Sequence, residues 1–346
     1  MTQLEGELTH NPNNAVTGSL QRIVHPGGGT MVRKVLNRQN TATTPVEWRA
    51  SDKPRHWNYW QRESLVYEST LAQELVGSGV RLAHVHTLER HTDQQITLCL
   101  EDVQGRTGAE LCLQDYADIC QAWGCAQAWL LRSELPVQPW MSRGFLRAYT
   151  GSKPVDYALL NNARAWQQPL IADNWPQELQ EALGFLYAHR EALYQRLESA
   201  PQVLSHLDFW PNNVFVDSLG QVVLIDLGFM GAGALAEDIG NFIPDAIFDG
   251  FMPPENFSLL QDRLFDAYLT GLRDGGAQVD AVTLQSQLFA SAVKYVWLGP
   301  LLLSRAGAQQ QHSYGGAALV DANAQYRARG MTLLNLCLWA QQALGR

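Results

Sequence analysis

The chain has 346 residues, of which 46% are hydrophobic and 17% are charged, and its formal net charge is -9 at pH 7. This length allows two or three domains with sizeable cores, and the low charged fraction argues against disorder over most of the chain. The acidic balance disfavours nucleic acid as a general partner, because binding to phosphates requires a basic surface.

The cysteine pattern and the N-terminus point to a cytoplasmic protein. Five cysteines are present and no C-x-x-C pair occurs, which favours free thiols in a reducing compartment. Residues 1–7 carry neither a basic region nor an apolar run, so no signal peptide is predicted. No stretch reaches the roughly 20 apolar residues of a membrane span, so we expect no membrane contact.

The first predicted element is a hairpin with a strand at 18–24, a turn at 25–29 and a strand at 30–36. The three glycines of the turn lack the spacing of a phosphate-binding P-loop, which favours a flexible turn. Lys34 shares a strand face with two aliphatic residues, and a buried charge there requires a partner. The alternative is a solvated Lys34, with Arg33 facing inward.

A helix is predicted over residues 57–69, and it offers that partner. Glu63 falls on the aromatic face of this helix. A carboxylate among apolar side chains requires a cation, which makes Glu63 the candidate partner of Lys34. Two alternatives remain: Glu68 as the partner of Lys34, or a surface Glu63 paired locally with Arg62.

Two further strands precede a change to helical patterning. They are predicted at 80–88 and 95–100, and the second runs into a polar segment at 101–105. The helices predicted beyond it are 115–133, 178–198, 255–273, 281–303 and 321–344, with Asp321 as the N-cap of the last.

The densest cluster of reactive groups lies at residues 204–228. His206, Asp208, Asn213 and Asp226 form the pattern H-x-D-x-x-x-x-N followed by D-L-G. Apolar runs after Asn213 and before Asp226 predict a hairpin that carries them. In protein kinases a similar set uses one carboxylate to accept the proton of the attacking hydroxyl, while the amide and the second carboxylate hold magnesium.

On these residues the chain resembles the aminoglycoside phosphotransferase and choline kinase superfamily of small-molecule kinases. Leu207 replaces the arginine of phosphorylation-regulated protein kinases, which disfavours a protein-modifying kinase, and it is larger than the residue this superfamily prefers. The resemblance covers roughly residues 15–300. It implies an α+β, protein-kinase-like bilobal fold, with a small antiparallel β N-lobe in residues 1–101 and a larger, mainly helical C-lobe in 102–346.

The resemblance also implies roles in the catalytic stretch. Asp208 would be the catalytic base, and Asn213 and Asp226 would hold Mg²⁺. His206 is expected to stabilise the catalytic turn rather than to take protons, and Asp238 is expected to brace the same loop.

An ATP site is implied on the N-lobe side. Lys34, fixed by Glu63, would position the phosphates. The segment that begins at Glu101 would be the hinge, whose backbone groups at Glu101 and Val103 would hydrogen-bond the adenine. Backbone recognition leaves no side-chain signature, so the sequence does not distinguish ATP from GTP.

The acceptor is expected to be a hydroxylated small molecule that carries amines. Acidic residues in its expected site would concentrate cations, and the faces of the 11 Trp residues suit ammonium groups or sugar rings. These acids are Asp238, Asp245, Asp249, Glu255, Asp262 and Asp266. An aminoglycoside-like compound is expected first and a choline-like amino alcohol second. A sugar kinase and a nucleotide-binding module without turnover remain as alternatives.

Overall fold

The computed structural model describes residues 4–8, 10–132, 138–308 and 321–346. It has the predicted α+β, kinase-like organisation, with an antiparallel sheet in the N-terminal part and helices dominating the C-terminal part. Residues 1–3, part of the segment in which no signal peptide is predicted, and Ser133, the last residue of a predicted helix, lie outside the described residues. Within the described ranges, no helix combines the length and apolarity needed to cross a membrane.

The strands and helices of the described ranges are as follows. The strands are β1 (Leu4–Glu7), β2 (Thr17–Val24), β3 (Thr30–Asn37), β4 (Val80–Leu82), β5 (Val85–Thr92), β6 (Gln95–Glu101), β7 (Gly105–Arg106), β8 (Gln202–Ser205), β9 (Val214–Asp217), β10 (Val222–Leu224) and β11 (Gly231–Ala234). The helices are α1 (Arg62–Glu68), α2 (Leu71–Glu74), α3 (Leu113–Arg132), α4 (Phe145–Gly151), α5 (Ala163–Trp166), α6 (Pro169–Ala172), α7 (Leu179–Ser199), α8 (Glu237–Phe248), α9 (Phe257–Asp274), α10 (Ala281–Ala290), α11 (Leu298–Arg305) and α12 (Ala322–Ala343).

The N-terminal sheet has the order β1-β2-β3-β6-β5 and is antiparallel throughout. In β3, Lys34 and Leu36 are buried, and Lys34 is paired in register with the buried Leu98 of β6. Strand alternation therefore turns Lys34 inward, as the sequence predicted, and the alternative with Arg33 facing the core is wrong.

The single strand predicted at 80–88 is wrong, because the segment divides between two sheets. β4 runs parallel to β10 in a sheet of order β4-β10-β9-β7, whereas β5 pairs with β6 in the N-terminal sheet. The alternation of apolar residues changes phase at the break, from Val80 and Leu82 to Ala83 and Val85, so the sequence marks an irregularity there but not the change of sheet. The buried Ala83, whose N–H donates to the carbonyl of Leu224 at 3.0 Å, lies at the crossing point. The predicted hairpin of β9 and β10 is thereby attached to the N-terminal part of the chain.

Two predicted helices are shorter than expected. Residues 57–61 form turns around an isolated β-bridge between Tyr59 and Ser51, and α1 begins only at Arg62. A helix starting at residue 57 would use the carbonyl of Trp57 within its own backbone ladder, but this carbonyl accepts from the Arg62 guanidinium at 2.7 Å. The helix predicted at 281–303 divides into α10, a 3₁₀ turn at Ser291–Tyr295, and α11.

Helices α3 and α9 pack with their backbones unusually close together. A Cβ atom built on Gly271 of α9 would lie 1.9 Å from the carbonyl oxygen of Gln121 in α3. One built on Gly124 of α3 would lie 2.4 Å from the carbonyl oxygen of Tyr268 in α9. These glycines are therefore required by close approach of two helices rather than by backbone conformation.

We expect Gly271→Ala to destabilise the protein by about 1–3 kcal/mol, because the new methyl group meets backbone atoms that can move only with their helix. Gly184→Ala in α7 is the matched control, since a Cβ there would meet nothing within 4 Å. That control should stabilise the protein by about 0.5–1 kcal/mol through helix propensity. Denaturant unfolding of both variants measures the difference, and equal shifts of the same sign would contradict the packing account.

Candidate active site

The catalytic turn follows β8 and is held by one buried carboxylate. Asp238, in the first turn of α8, accepts the backbone N–H groups of His206 and Leu207 at 2.9 and 2.8 Å. It also accepts the indole N–H of Trp123, on α3, at 2.9 Å. The turn that presents Asp208 is thus fixed to two helices, and Asp238 makes the bracing contacts that the sequence suggested.

This brace acts on a strained backbone. Leu207 has φ of +65°, a left-handed conformation that carries a penalty of about 1–3 kcal/mol for a residue with a side chain. Its side chain is buried, so apolar burial offsets part of that penalty. The two hydrogen bonds to Asp238 hold the backbone in place, which explains how a residue larger than glycine is accommodated.

The imidazole of His206 is fully engaged in structure. Its Nδ1 accepts the backbone N–H of Asp208 at 3.3 Å, and its Nε2 donates to the carbonyl of Ile225 at 2.9 Å. This ring therefore links the Asp208 turn to the residue that precedes Asp226. The arrangement leaves no lone pair for proton abstraction, in line with the structural role expected of His206.

Asp208 and Asn213 are in direct contact. The amide nitrogen of Asn213 donates to both the backbone carbonyl and the Oδ2 of Asp208, each at 3.0 Å. These bonds use both amide N–H groups, and no described residue donates to Asn213 Oδ1. Burial raises the pKa of Asp208, and the positive charge of Lys294 partly opposes the shift.

Lys34 joins two carboxylates from distant segments. Its Nζ lies 2.7 Å from Glu63 Oε2 and 2.7 Å from Asp226 Oδ1. Lys34 and Glu63 are almost completely buried, whereas 47% of the Asp226 side chain is exposed to the cleft. Burial disfavours the charged form of Lys34. The carboxylates of Asp226 and Glu63 favour it more strongly, so the pKa of Lys34 is raised. The sequence-predicted contact between Lys34 and Glu63 is present, and Glu68 instead pairs with Arg90.

Arg62 has a role that sequence reasoning missed. It is fully buried, and its guanidinium donates to backbone carbonyls at distances of 2.5–3.0 Å. The acceptors are the carbonyls of Pro54, His56, Trp57, Trp140 and Gly228. Because Gly228 follows Asp226 closely, α1 is anchored to the same loop that carries Asp226. Burial lowers the pKa of Arg62 to about 9, so it stays charged at neutral pH.

The expected hinge residues lie at the junction of the two sheets. The Glu101 carboxylate makes a bidentate pair with Arg81 at 2.6 and 2.9 Å, so this side chain is committed to structure. Val103 packs in a small apolar cluster with Ala83 and Val223. Among the described residues, no backbone partner binds the Val103 N–H.

The acids expected around the acceptor do not form one group. Asp238 is used as the brace described above, and three others lie exposed on or before α9, namely Glu255, Asp262 and Asp266. Asp245 and Asp249, at the end of α8, are close enough to Asp208 for the charges to interact. Burial raises the pKa of Asp245 to about 6, and Asp208 adds to the shift.

Comparison with known proteins identifies the family and supports the fold. The model of the phosphotransferase enzyme family, APH, matches residues 53–280, and the chain therefore belongs to that family. An amicoumacin kinase, solved in complex with AMP-PNP and Ca²⁺, superposes with a TM-score of 0.54 at 12% identity, covering 95% of this chain and 90% of that one. A microcompartment-associated aminopropanol kinase gives a TM-score of 0.54 at 15% identity, with coverage of 99% and 93%. A search of curated proteins found no match. The fold and family make the chain a small-molecule kinase.

We expect Arg62→Met to lower the free energy of unfolding by about 3 kcal/mol or more, because several buried carbonyls lose their donor and each unsatisfied group costs about 1–3 kcal/mol. Arg62→Lys should fall between this variant and the wild type. Arg55→Met is the matched control, since Arg55 is an exposed residue of the same loop. Chemical denaturation measures all three, and an Arg62→Met variant as stable as Arg55→Met would show that the anchor is unimportant.

Proposed function

We propose that this kinase transfers the γ-phosphoryl group of ATP to a hydroxyl group of a small molecule that carries an amine. The observation that carries the proposal is the convergence of Lys34, Asp208, Asn213 and Asp226 on one cleft, although they come from β3 and from both sides of a C-terminal hairpin. This combination supplies a base, a metal-binding pair and a phosphate-binding cation. We also propose that the N-lobe and C-lobe divide at residues 1–101 and 102–346, since β6 ends at Glu101.

Asp208 is the residue best placed to act as the catalytic base. Its Oδ2 is held by Asn213, which leaves Oδ1 to accept the proton of the acceptor hydroxyl. The rigid turn behind it fixes the direction of this oxygen before the acceptor binds. Such pre-orientation lowers the barrier, because the reacting groups need no rearrangement.

Asn213 and Asp226 are the proposed ligands of Mg²⁺. The two groups suit a hard cation, because Asn213 presents an unpaired carbonyl oxygen and Asp226 presents a half-exposed carboxylate. Among the described residues, no group of three or more His, Cys, Asp and Glu side chains is arranged to hold a metal ion. Phosphate oxygens and water molecules would complete the coordination, as is usual for magnesium. The ion would neutralise and orient the phosphate charge.

The nucleotide is proposed to lie against β3 and the segment after β6. Lys34 would contact its phosphates, with Glu63 holding the ammonium in place. The free backbone N–H of Val103 and the carbonyl of Glu101 would bind the adenine edge. The apolar cluster around Val103, which includes the partly buried Phe215 and Ile225, offers a surface for the ring.

The acceptor is proposed to bind beside Asp208, on the side of α8. The nearby carboxylates of Asp245 and Asp249 favour a cationic acceptor electrostatically. An aminoglycoside-like compound ranks first and a choline-like amino alcohol second, as the sequence suggested. A neutral sugar would gain nothing from these charges.

We expect Asp226→Ala to raise the Mg²⁺ concentration required for half-maximal ADP release, and Asn213→Ala to raise it less, because a carboxylate supplies charge that an amide lacks. Asn212→Ala is the matched control, since Asn212 is the exposed neighbour of Asn213. Magnesium titrations at saturating ATP measure the effect. Superimposable titrations for Asp226→Ala and the wild type would rule out Asp226 as a ligand.

The proposed function is tested by an ADP-release screen over aminoglycosides, choline-like amino alcohols, neutral sugars and a protein substrate. The wild type should turn over aminated acceptors, more slowly as salt rises. Asp208→Asn should lose about 10²–10⁴ in rate while still binding ATP, because it removes only the base. Reaction of neutral sugars alone would refute the aminated acceptor. Reaction of the protein substrate alone, or equal rates for Asp208→Asn and wild type, would refute the mechanism.

A further inference from the structure

Four aromatic rings surround the ammonium group of Lys153, the residue two after α4. The Nζ atom lies 3.7 Å from the ring centroid of Tyr149, 4.1 Å from Trp48, 5.4 Å from Trp297 and 5.7 Å from Trp57. All four distances are within the range of a cation–π interaction. We call these four rings the aromatic cage.

The cage is a packed assembly rather than rings gathered by Lys153. Trp57 meets Trp48 and Tyr149 edge to face, with ring centroids 5.6 and 5.4 Å apart. Trp57 also packs on Phe229, which follows Asp226 by three residues, at 5.4 Å. Because the rings pack on each other and on the loop of Asp226, we expect the cage to persist without the lysine.

Lys153 is a poorly satisfied occupant of this cage. Its Nζ is buried, and among the described residues it has no hydrogen-bond acceptor. Burial lowers its pKa to about 7; the charges of Glu47 and Asp208 oppose this shift, while that of Lys294 adds to it. An ammonium group with three donors and no acceptor loses hydration that cation–π attraction only partly replaces. The lysine also gives up side-chain freedom to stay there.

Of the chain's four lysines, only Lys53 is exposed. Lys34 is held by two carboxylates, so its position is fixed by strong pairing. Lys153 has no such partner, although its charge interacts with that of Asp208. An ammonium group is thus already held close enough to Asp208 for their charges to interact, by contacts that any organic cation can make.

We propose that the aromatic cage is a binding site for an organic ammonium group of the acceptor, and that Lys153 fills it as an internal competitor until the acceptor arrives. This inference rests on the proposed function, in which the acceptor binds beside Asp208. A competing ligand makes cation–π contacts with the same four rings. It also brings a hydroxyl group to the Asp208 carboxylate, and Lys153 has no hydroxyl group. Acceptors without an ammonium group would fail to displace the lysine and would be disfavoured.

The test is a binding titration with tetramethylammonium chloride, followed by the intrinsic fluorescence of the tryptophans. Tetramethylammonium has no hydroxyl group, and no ATP is added, so the result does not depend on phosphoryl transfer. Failure of this inference is therefore distinguishable from failure of the proposed function, which the ADP-release screen tests. Sodium chloride at the same concentration corrects for ionic strength, and tert-butanol serves as the neutral ligand of similar shape.

Lys153→Ala should bind tetramethylammonium roughly tenfold or more tightly than the wild type, because the cage is vacated while its rings remain. Lys53→Ala, the exposed lysine, should behave as the wild type. Adding Trp48→Ala to Lys153→Ala should remove the gain, and tert-butanol should not reproduce it. Circular dichroism confirms that each variant is folded. Equal affinity of Lys153→Ala and wild type would overturn the proposal, as would equal binding of tert-butanol.

The pH dependence gives an independent readout. Below its lowered pKa Lys153 is charged and competes for the rings, and above that pKa it is neutral and the cation–π attraction is lost. The affinity of the wild type for tetramethylammonium should therefore rise from pH 6 to pH 9 by several-fold. In Lys153→Ala the affinity should stay constant, which excludes titration of Glu47, Asp208 or Lys294 as the cause. Parallel pH profiles for the two proteins would contradict the competition.

Discussion

The ion cluster of Lys34, Glu63 and Asp226 is the constraint on which the cleft depends. A buried ammonium group requires opposite charge close by, because desolvation without compensation is prohibitive. The two 2.7 Å contacts satisfy this requirement by bringing β3, α1 and the loop after β10 to one point. The pairing therefore sets where the N-terminal sheet stands relative to the catalytic hairpin.

Arg62 makes the same junction rigid by a different kind of interaction. Arg62 directly precedes Glu63 in the chain, so a helix of seven residues carries two buried charges of opposite sign. Glu63 is neutralised by a lysine, whereas the positive charge of Arg62 is solvated by carbonyl dipoles. The guanidinium suits this role because its five N–H groups point in fixed directions. The short helix α1 is thus stabilised more by these polar contacts than by its own few backbone hydrogen bonds.

Backbone strain is concentrated where the proposed chemistry occurs. Within the part of the chain that the structure describes, the non-glycine residues with positive φ are Leu207, Asp226 and Ala236. Leu207 lies next to the proposed base, Asp226 is a proposed metal ligand, and Ala236 begins the helix that carries Asp238. Such conformations persist only where the surroundings over-determine them. Here the surroundings are the Asp238 carboxylate and the Lys34 pair, which hold two carboxylates in orientations that a relaxed backbone would not give.

Local patterns in the sequence were sufficient for many of the elements and for the residues proposed to carry the chemistry. Alternation in β3 put Lys34 on the inner face. The apolar runs around Asp208, Asn213 and Asp226 placed these residues on a hairpin. Both inferences were possible because side-chain period and turn chemistry are local properties. The N-cap at Asp321 was equally local, and its side chain accepts the N–H of Ala324 at 2.9 Å. The roles of these site residues stay proposals.

Only the tertiary structure decided which distant groups meet. The transfer of the chain from β4 to β5 depends on which sheet offers a free edge, and the change of phase between Leu82 and Val85 does not record which sheet that is. The sequence offered Arg62 only as a possible local partner of Glu63, because the carbonyls that bind it come from segments up to 166 positions away. The aromatic cage likewise joins Trp48 and Trp297, two of 11 tryptophans with nothing local to distinguish them. Periodicity encodes which face of an element is buried, whereas packing between elements determines what that face touches.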